Sequence, residues 1–354
     1  MFALRTMSSA PSFPLSSRPP NPLGQGNYIR TAAALIIGDE ILNGKTLDRN
    51  SNFFARYCFE HGVDLKRIEV ISDGEDEIIE ASRRMVKKYD LVITSGGIGP
   101  THDDITYASL AKSFNQNLVH HCETLSRLEA MTRHRTWASQ QTSQQLEATR
   151  RMALFPDKAE VIFVGSDLWV PVVRLEGKLC IFPGIPSLFQ KMLTALTPFL
   201  PLPPTHERPT RIQVFTEWPE SMIAPYLTSL QSRLKARGIQ IGSYPVLGKG
   251  VFVSLIGRGH LTSSPQLSSS LSSVSVPNPT SSSSSDTEPY AIMAAVPSTP
   301  EHPQIAMSLM DIAHEIETEI GGCIVTEEEV ARCKEGGPMP SVRKSGRRIE
   351  NKAY

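Results

Sequence analysis

Short apolar runs alternate with amphipathic segments between residues 31 and 94, and this alternation limits the fold more than any other feature. The runs at 32–37, 65–71 and 89–94 predict strands. The segments 48–62 and 75–88 predict helices, because their apolar residues recur on one face. Strands that alternate with helices form a parallel sheet covered on both sides. We therefore predict an α/β fold of three layers (α/β/α) around a mostly parallel sheet.

The same pattern continues to about residue 200, so we assign one domain to 31–200. Two extended runs flank Glu176-Gly177, a dipeptide that suits the two-residue turn of a β-hairpin. The remaining elements are a predicted strand at 161–164, hairpin strands at 170–175 and 178–182, and helices at 104–115, 121–134, 140–150 and 187–200.

A proline-rich stretch at 201–209 marks a boundary, and a second domain is predicted for 201–330. Its elements follow the order strand, helix, strand, strand, helix, strand, which is typical of a small α+β domain of split-βαβ type. An insertion at 261–303 interrupts it. Residues 263–285 hold 13 serines in 23 positions, a composition that predicts disorder. The basic segment 331–354 is predicted to be a disordered tail.

The amino-acid composition of the chain limits the classes of partner and the compartment that we expect. Lys+Arg and Asp+Glu both number 36, so the basic excess typical of nucleic-acid binding is missing. The sequence has no run of 18 apolar residues, so we expect no membrane-spanning helix. The five cysteines show no CxxC spacing and favour a reducing compartment, which we take to be the cytoplasm.

The first 30 residues lack acidic side chains. They contain three arginines, several serines and many prolines, and we expect either a disordered tail or a mitochondrial transit peptide. A mitochondrial location is therefore the alternative to the cytoplasm.

The densest chemical signal is LVITSGGIGPTHDDIT at 91–106. A predicted strand runs into Ser95 and then Gly96, Gly97 and Gly99, after which residues 102–104 are expected to open a helix. Closely spaced glycines expose successive backbone N–H groups, and a helix N-terminus adds partial positive charge. This arrangement predicts an anion-binding loop.

Two acids, Asp103 and Asp104, follow the loop directly. One of them could cap the helix, but one cap does not explain both. Carboxylates beside a phosphate repel it unless a divalent metal intervenes, so the pair, helped by Glu40, suggests a site for Mg²⁺, Mn²⁺ or Co²⁺. His102 is expected to be structural or to contact the substrate rather than to act as a base.

Two further clusters follow the first and second predicted strands. The first contains Gly38, Asp39, Glu40 and Asn43, followed by Asp48 and Asn50, and the second contains Asp73. Capping and turn formation could explain each cluster separately. Ligands bind at the carboxyl ends of strands in doubly wound sheets, however, and all three clusters fall on that edge.

These motifs resemble a known family. Four segments are similar to the molybdopterin-binding (MoaB/Mog-type) fold in its CinA-like branch. They are GDEILNGKTLDRNSNFFA, VISDGEDEI, TSGGIGPTHDDIT and the later PGIP at 183–186. The nearest likeness is to the molybdopterin-binding-like domain fused to eukaryotic FAD synthases. The resemblance covers about 31–200 closely and extends loosely to about 326.

The resemblance implies roles for individual residues. Asp73 and Asp104 match the two acids that Mog-type proteins use in adenylyl transfer. The other matches are Asp39 and Glu40 in the first motif and Gly96, Gly97, Gly99 and Thr101 in the phosphate loop. Ser187 follows PGIP where relatives often carry Glu, so an acidic role there is doubtful. We see no adenylyltransferase or amidase domain after residue 330 and therefore expect neither FAD synthesis nor nicotinamide-nucleotide deamidation.

The activity implied by the resemblance is metal-dependent hydrolysis of a nucleotide pyrophosphate, with FAD giving FMN and AMP. The ligand would be FAD, ADP-ribose or molybdopterin, and relatives commonly form homo-oligomers. Two alternatives remain open. One is molybdopterin binding or adenylylation, and the other is a non-catalytic nucleotide-binding regulator with the serine-rich insertion as its interaction surface.

Overall fold

The computed structural model describes residues 11–133, 135–258 and 308–341. The chain divides into two compact units, Met1–Pro209 and Thr210–Tyr354. The serine-rich insertion predicted at 261–303 lies outside the described residues.

The first unit contains eight strands and seven α-helices within the described ranges. The strands are β1 (Thr31–Ile37), β2 (Asp64–Ile71), β3 (Leu91–Ser95), β4 (Leu118–His120), β5 (Leu154–Pro156), β6 (Glu160–Ile162), β7 (Val172–Leu175) and β8 (Leu179–Phe182). The helices are α1 (Asp39–Leu42), α2 (Asn50–Glu60), α3 (Glu75–Lys88), α4 (Thr106–Ser113), α5 (Cys122–Thr132), α6 (Ser143–Arg151) and α7 (Pro186–Leu196).

A six-stranded sheet with the order β2-β1-β3-β8-β7-β6 forms the centre of this unit. The β2, β1, β3 and β8 strands pair in parallel, whereas β7 pairs antiparallel with both β8 and β6. The prediction of a mostly parallel sheet is confirmed. The short β4 and β5 strands form a separate antiparallel pair that the sequence pattern did not reveal.

Alternate residues of β1 face opposite layers, as the two-residue period of a strand requires. Ala32, Ala34 and Ile36 pack in a core with α2 and α7, which contribute Phe54 and Phe189. The intervening residues Ala33, Leu35 and Ile37 pack in a second core with residues of α3 and α4, including Ile78 and Leu110. The three-layer α/β/α arrangement is therefore confirmed.

The predicted hairpin joins β7 and β8, but three residues and not two lie between the strands, because Leu175 pairs with Leu179. Glu176 has φ 51° and Gly177 has φ 65°, so both of these residues are left-handed. This is the backbone of a type I′ turn, which matches the twist of the two flanking strands.

Residues 11–30 differ from the disordered tail predicted for 1–30. The Phe13 N–H donates to the Ser166 carbonyl at 2.7 Å, and the Ser16 N–H donates to the Phe163 carbonyl at 3.0 Å. The side chain of Leu23 packs against the core shared by α2 and α7. This segment is ordered because neighbouring elements bind its backbone and its apolar side chains, an effect that composition cannot reveal. Residues 1–10 lie outside the described residues.

The second unit has the predicted strand and helix order. Its elements are β9 (Pro209–Thr216), α8 (Glu220–Leu234), β10 (Gln240–Val246), β11 (Gly250–Arg258), α9 (Leu309–Glu319), β12 (Cys323–Val325) and α10 (Glu327–Lys334). Its sheet has the order β10-β11-β9-β12, in which β10 pairs antiparallel with β11 and β12 pairs antiparallel with β9. This α+β unit agrees with the split-βαβ prediction.

The α10 helix was not predicted, and it extends into the segment assigned to the disordered tail 331–354. A capping box begins it, in which Thr326 and Glu329 each accept a hydrogen bond from the other's backbone. Val330 and Cys333 of this helix are buried beside Phe215 and Phe252. The helix is therefore held by packing, and residues 342–354 lie outside the described residues.

Candidate functional site

The carboxyl ends of four parallel strands are in register. Ile37 of β1 pairs with Ile71 of β2, Ile36 pairs with Ser95 of β3, and Ser95 pairs with Phe182 of β8. The segments after these strands therefore begin side by side at one edge of the sheet. The sequence motifs at 38–43, 72–73, 95–101 and 183–186 begin at this edge.

Gly96 and Gly97 form the turn after β3 in backbone conformations that a side chain would disrupt. Gly96 has φ 114°, and a Cβ atom there would lie 2.1 Å from the Ile37 carbonyl oxygen. Gly97 has φ 64°, and a Cβ atom would lie 2.3 Å from Thr106 Oγ1. The Thr106 hydroxyl donates to the Gly96 carbonyl at 3.0 Å, and the Thr106 N–H donates to the Gly97 carbonyl at 3.0 Å. The loop is thus tight and fixed from both sides.

Asp104 holds the second half of the loop. Its carboxylate accepts the Gly99 N–H at 2.6 Å and the Thr101 N–H at 2.8 Å, and it also accepts the Thr101 hydroxyl. The prediction that residues 102–104 open the helix is wrong, because α4 begins at Thr106. Asp104 stays outside the helix because the loop backbone supplies N–H groups that its side chain accepts.

Asp73 lies among other acids at the same edge. Its Oδ2 accepts the Asp39 N–H at 3.0 Å. Burial raises the pKa of Asp73 above its ordinary value, and the negative charges of Asp39, Glu40 and Asp103 raise that pKa further. A carboxyl group with a raised pKa beside like charges is a frequent feature of functional sites.

The acids partly fit a divalent cation. Within the described ranges, no group of three or more His, Cys, Asp or Glu residues is arranged to hold a metal ion. Mg²⁺ commonly binds through one or two carboxylates and completes its coordination with substrate phosphates and water. Glu40 and Asp103, whose charges both act on Asp73, fit such a site. Asp104 fits it less well, because its oxygens already accept three hydrogen bonds from the loop.

The other predicted site residues have separate positions. The His102 side chain is 98% exposed, and its Nδ1 lies 3.9 Å from Asp103 Oδ1. The exposed Asn43 side chain accepts the Lys45 N–H at 3.0 Å, which is a turn contact. Ser95 is buried at the end of β3, where its hydroxyl accepts a hydrogen bond from Asn50 Nδ2 at 2.8 Å. Gly38 is buried beside Ile71, to whose carbonyl its N–H donates at 3.1 Å.

A cavity of about 220 Å³ lies beside the glycine loop. Apolar side chains, including Ile98, Ile105 and Leu118, contribute to its walls, and Asp104 and Arg151 also line it. Arg151 is close enough to donate to the carbonyls of Pro100 and Thr101. Arg151 could not be identified from the sequence, because nothing in the pattern of α6 shows which loop that helix approaches.

The first unit has the fold and motifs of a family of molybdopterin-binding domains. Residues 33–202 match the family model described as a probable molybdopterin binding domain. The chain is 31% identical over 233 residues to Protein PH0439 of Pyrococcus horikoshii, covering 64% of this chain and 88% of that protein. The chain belongs to this molybdopterin-binding (MoaB/Mog-type) family, in its CinA-like branch.

Two further comparisons extend this likeness. The chain is 33% identical over 237 residues to a protein named probable FAD synthase in Caenorhabditis elegans, covering 63% of this chain but only 45% of that protein. A crystal structure of a Thermoplasma acidophilum CinA protein of unknown function aligns with a TM-score of 0.42 at 28% identity, covering 48% of this chain and 97% of that one. In the described residues, no helix has the length and apolar character needed to cross a membrane.

Proposed function

We propose that this chain hydrolyses the pyrophosphate bond of a nucleotide, with FAD as the substrate and FMN and AMP as products. The observation that carries the proposal is the combination of a tight glycine loop with the carboxyl group of Asp73 at one sheet edge. The loop can hold phosphate oxygens through the N–H groups of Gly97 and Ile98, because Asp104 accepts only those of Gly99 and Thr101. Asp73, with its raised pKa, supplies a group that can accept a proton beside them.

The reaction needs only a water molecule as co-reactant. The water oxygen forms a bond to one phosphorus atom while the bond from that phosphorus to the bridging oxygen breaks. Asp73 accepts a proton from the attacking water, and the bridging oxygen leaves on the second phosphate. The N–H groups of the loop stabilise the charge that develops on the non-bridging oxygens.

A divalent cation would assist this reaction by polarising a phosphoryl oxygen and by offsetting the negative charges around the phosphates. Glu40 and Asp103 would hold it, which leaves Asp73 free to accept the proton. Asp104 would then act by shaping the loop rather than by binding the ion. The 220 Å³ cavity has apolar walls that suit part of a heteroaromatic ring.

Incubation of the purified full chain with FAD tests the proposal. ADP-ribose serves as a second substrate, and each reaction contains Mg²⁺, Mn²⁺, Co²⁺ or EDTA. We expect FMN and AMP in equal amounts, formed only with metal. Binding of FAD without product under all metal conditions would contradict hydrolysis and favour a nucleotide-binding regulator.

The family match favours molybdopterin as a second candidate ligand, because the model that covers residues 33–202 is described as a probable molybdopterin binding domain. The glycine loop would serve a pterin phosphate as well as a nucleotide diphosphate. A direct comparison of molybdopterin and FAD binding separates the candidates. Tighter binding of molybdopterin, with no FAD turnover, would favour a role in molybdenum-cofactor chemistry.

A further inference from the structure

A second, smaller cavity of about 50 Å³ lies at the same sheet edge. Its polar lining includes Glu40, Asp48, Asn50, Ser95 and Gly184. A water molecule occupies roughly 30 Å³ in the liquid, so this space can accept a group the size of a hydroxyl but not a base or a whole sugar ring.

The orientation of the Asn50 side-chain amide is fixed by its partners. Its Nδ2 donates to Ser95 Oγ at 2.8 Å and to the Gly184 carbonyl at 2.8 Å. A carbonyl can only accept a hydrogen bond, so the nitrogen and not the oxygen of the amide must face Gly184. The amide oxygen therefore cannot occupy the position of Nδ2.

The amide oxygen of Asn50 is left without a partner. Asn50 is only 5% exposed, and its Oδ1 is buried with no hydrogen bond. A buried acceptor without a donor destabilises the folded chain, because the group has lost its hydrogen bonds to water. The residue therefore offers a hydrogen-bond acceptor that the folded chain itself leaves unused.

The rest of the polar lining contains the donors Thr46 and Arg49 as well as several acceptors. The Glu40 carboxylate and the Gly184 carbonyl can only accept. Asp48 Oδ1 already accepts the N–H groups of Asn50 at 2.9 Å and Ser51 at 3.0 Å. Asn50 Oδ1 has no partner of its own, so a group that satisfies it must supply a donor.

The cavity adjoins the glycine loop. Ser95 directly precedes Gly96, and a Cβ atom built on Gly184 would lie 3.5 Å from Gly96 Cα. If one ligand places a phosphate on the loop and a donor in the cavity, only a few covalent bonds can separate these two groups. Ribose hydroxyl groups have this relationship to the 5′-phosphate of a nucleotide.

We propose that this cavity binds a ribose hydroxyl of the nucleotide and that Asn50 Oδ1 accepts its hydrogen bond. The proposal rests on the proposed function in one respect, namely that a nucleotide phosphate binds on the glycine loop. It makes Asn50 a specificity residue that distinguishes ribonucleotides from deoxyribonucleotides.

Calorimetric titration of the full chain with AMP, 2′-deoxy-AMP and 3′-deoxy-AMP tests this role. Wild type should bind AMP about tenfold more tightly than one of the deoxy analogues, which corresponds to about 1.4 kcal/mol. The Asn50→Leu variant should bind AMP and that analogue equally. The matched control is Asn52→Leu, in which an exposed Asn of the same helix is replaced and the preference for AMP should remain.

Equal binding of the three nucleotides by wild type, or no binding of any, would overturn the proposal. A full preference for AMP in an Asn50→Leu variant that melts like wild type would also overturn the proposal. If that variant does not fold, Asn50→Ala, which adds no atoms to the cavity, replaces it in the same titration. If wild type distinguishes AMP from a deoxy analogue but does not hydrolyse FAD, the ribose site is retained and the hydrolase is rejected. If wild type hydrolyses FAD but binds the nucleotides equally, the hydrolase is retained and the ribose site is rejected.

Discussion

The carboxylate of Asp104 accepts the backbone N–H of Gly99 at 2.6 Å, across five positions of the chain. This contact closes the glycine loop and makes an acid part of its framework. An acid next to a phosphate loop is easily interpreted as a metal ligand or a catalytic group. Here the Asp104 side chain also stabilises the loop backbone. Experiments can separate this structural role from a role in metal binding or catalysis.

Replacement of Asp104 by Asn should weaken AMP binding even in EDTA. The Asn side chain offers only one acceptor oxygen, and its NH₂ group would face a loop N–H. Hydrogen bonds to charged groups contribute about 1.5–3 kcal/mol, so we expect a loss of about ten- to a hundredfold in affinity by calorimetry.

Asp103→Asn is the matched control in the same titration. Asp103 is exposed, and loss of its negative charge should leave the metal-free affinity for AMP equal to wild type or slightly higher. If Asp104→Asn lost affinity only when metal is present, Asp104 would be a metal ligand and not a support of the loop.

Replacement of Gly97 by Ala should abolish most nucleotide binding. Gly97 has φ 64°, and a Cβ atom would lie 2.3 Å from Thr106 Oγ1, so the loop must move. Gly26→Ala controls for backbone strain, because Gly26 has φ 79° with nothing within 4 Å of the new atom. Both variants should melt a few degrees below wild type, since left-handed backbone costs Ala about 1 kcal/mol. Equal AMP affinity in both would contradict the role of the loop.

Replacement of Asp73 by Asn should lower kcat for FAD by at least about a hundredfold, the usual contribution of a general base. AMP affinity should not fall, because a negative charge near the phosphate is removed. The activity of wild type should rise with pH as Asp73 loses its proton, and its raised pKa places this rise above the range of an ordinary Asp. An unchanged kcat, with the same acidic limb in the pH profile, would exclude Asp73 as the base.

Acid should destabilise the first unit through Glu69. Two hydrogen bonds from Arg84 and one from Arg67 lower the pKa of Glu69, with Arg84 as the largest cause. The stabilisation is complete above the pKa of the unfolded chain and is lost as the pH falls through the lower pKa of the folded state. Glu69→Gln should therefore lower Tm by a few degrees at pH 7 but by less at pH 3. The exposed Glu147→Gln is the control, and an equal Tm loss at both pH values would argue against the ion pairs.

Replacement of Phe13 by Ala should lower the Tm of the first unit. The Arg127 guanidinium lies between two rings, with its Cζ 3.4 Å from the Phe163 centroid and 5.1 Å from the Phe13 centroid. Its Nη2 also donates to the Pro14 carbonyl at 2.7 Å. Leu15→Ala, at a side chain that is 56% exposed in the same segment, should have little effect. Identical melting of the two variants would show that the segment does not stabilise the unit.

Features that depend only on residues close together in the chain could be predicted from the sequence. The apolar run 32–37 predicted a buried strand, and Glu176-Gly177 predicted a hairpin turn, because both depend on preferences within a few residues. The three glycines after β3 likewise identified a loop that side chains would disrupt. The order of strands and helices then brought the three polar clusters to one sheet edge.

The partner of each polar side chain was decided only by the tertiary structure. Asn50 donates to Gly184, which is 134 positions away, and Arg151 reaches Thr101 from a helix 50 positions later. Residues 11–30 are ordered by contacts with Phe163 and Ser166 and not by their own composition. Sequence periodicity fixes which face of an element is apolar. It does not fix which carboxylate meets a loop N–H or which amide oxygen remains unsatisfied, because those depend on distances between distant parts of the folded chain.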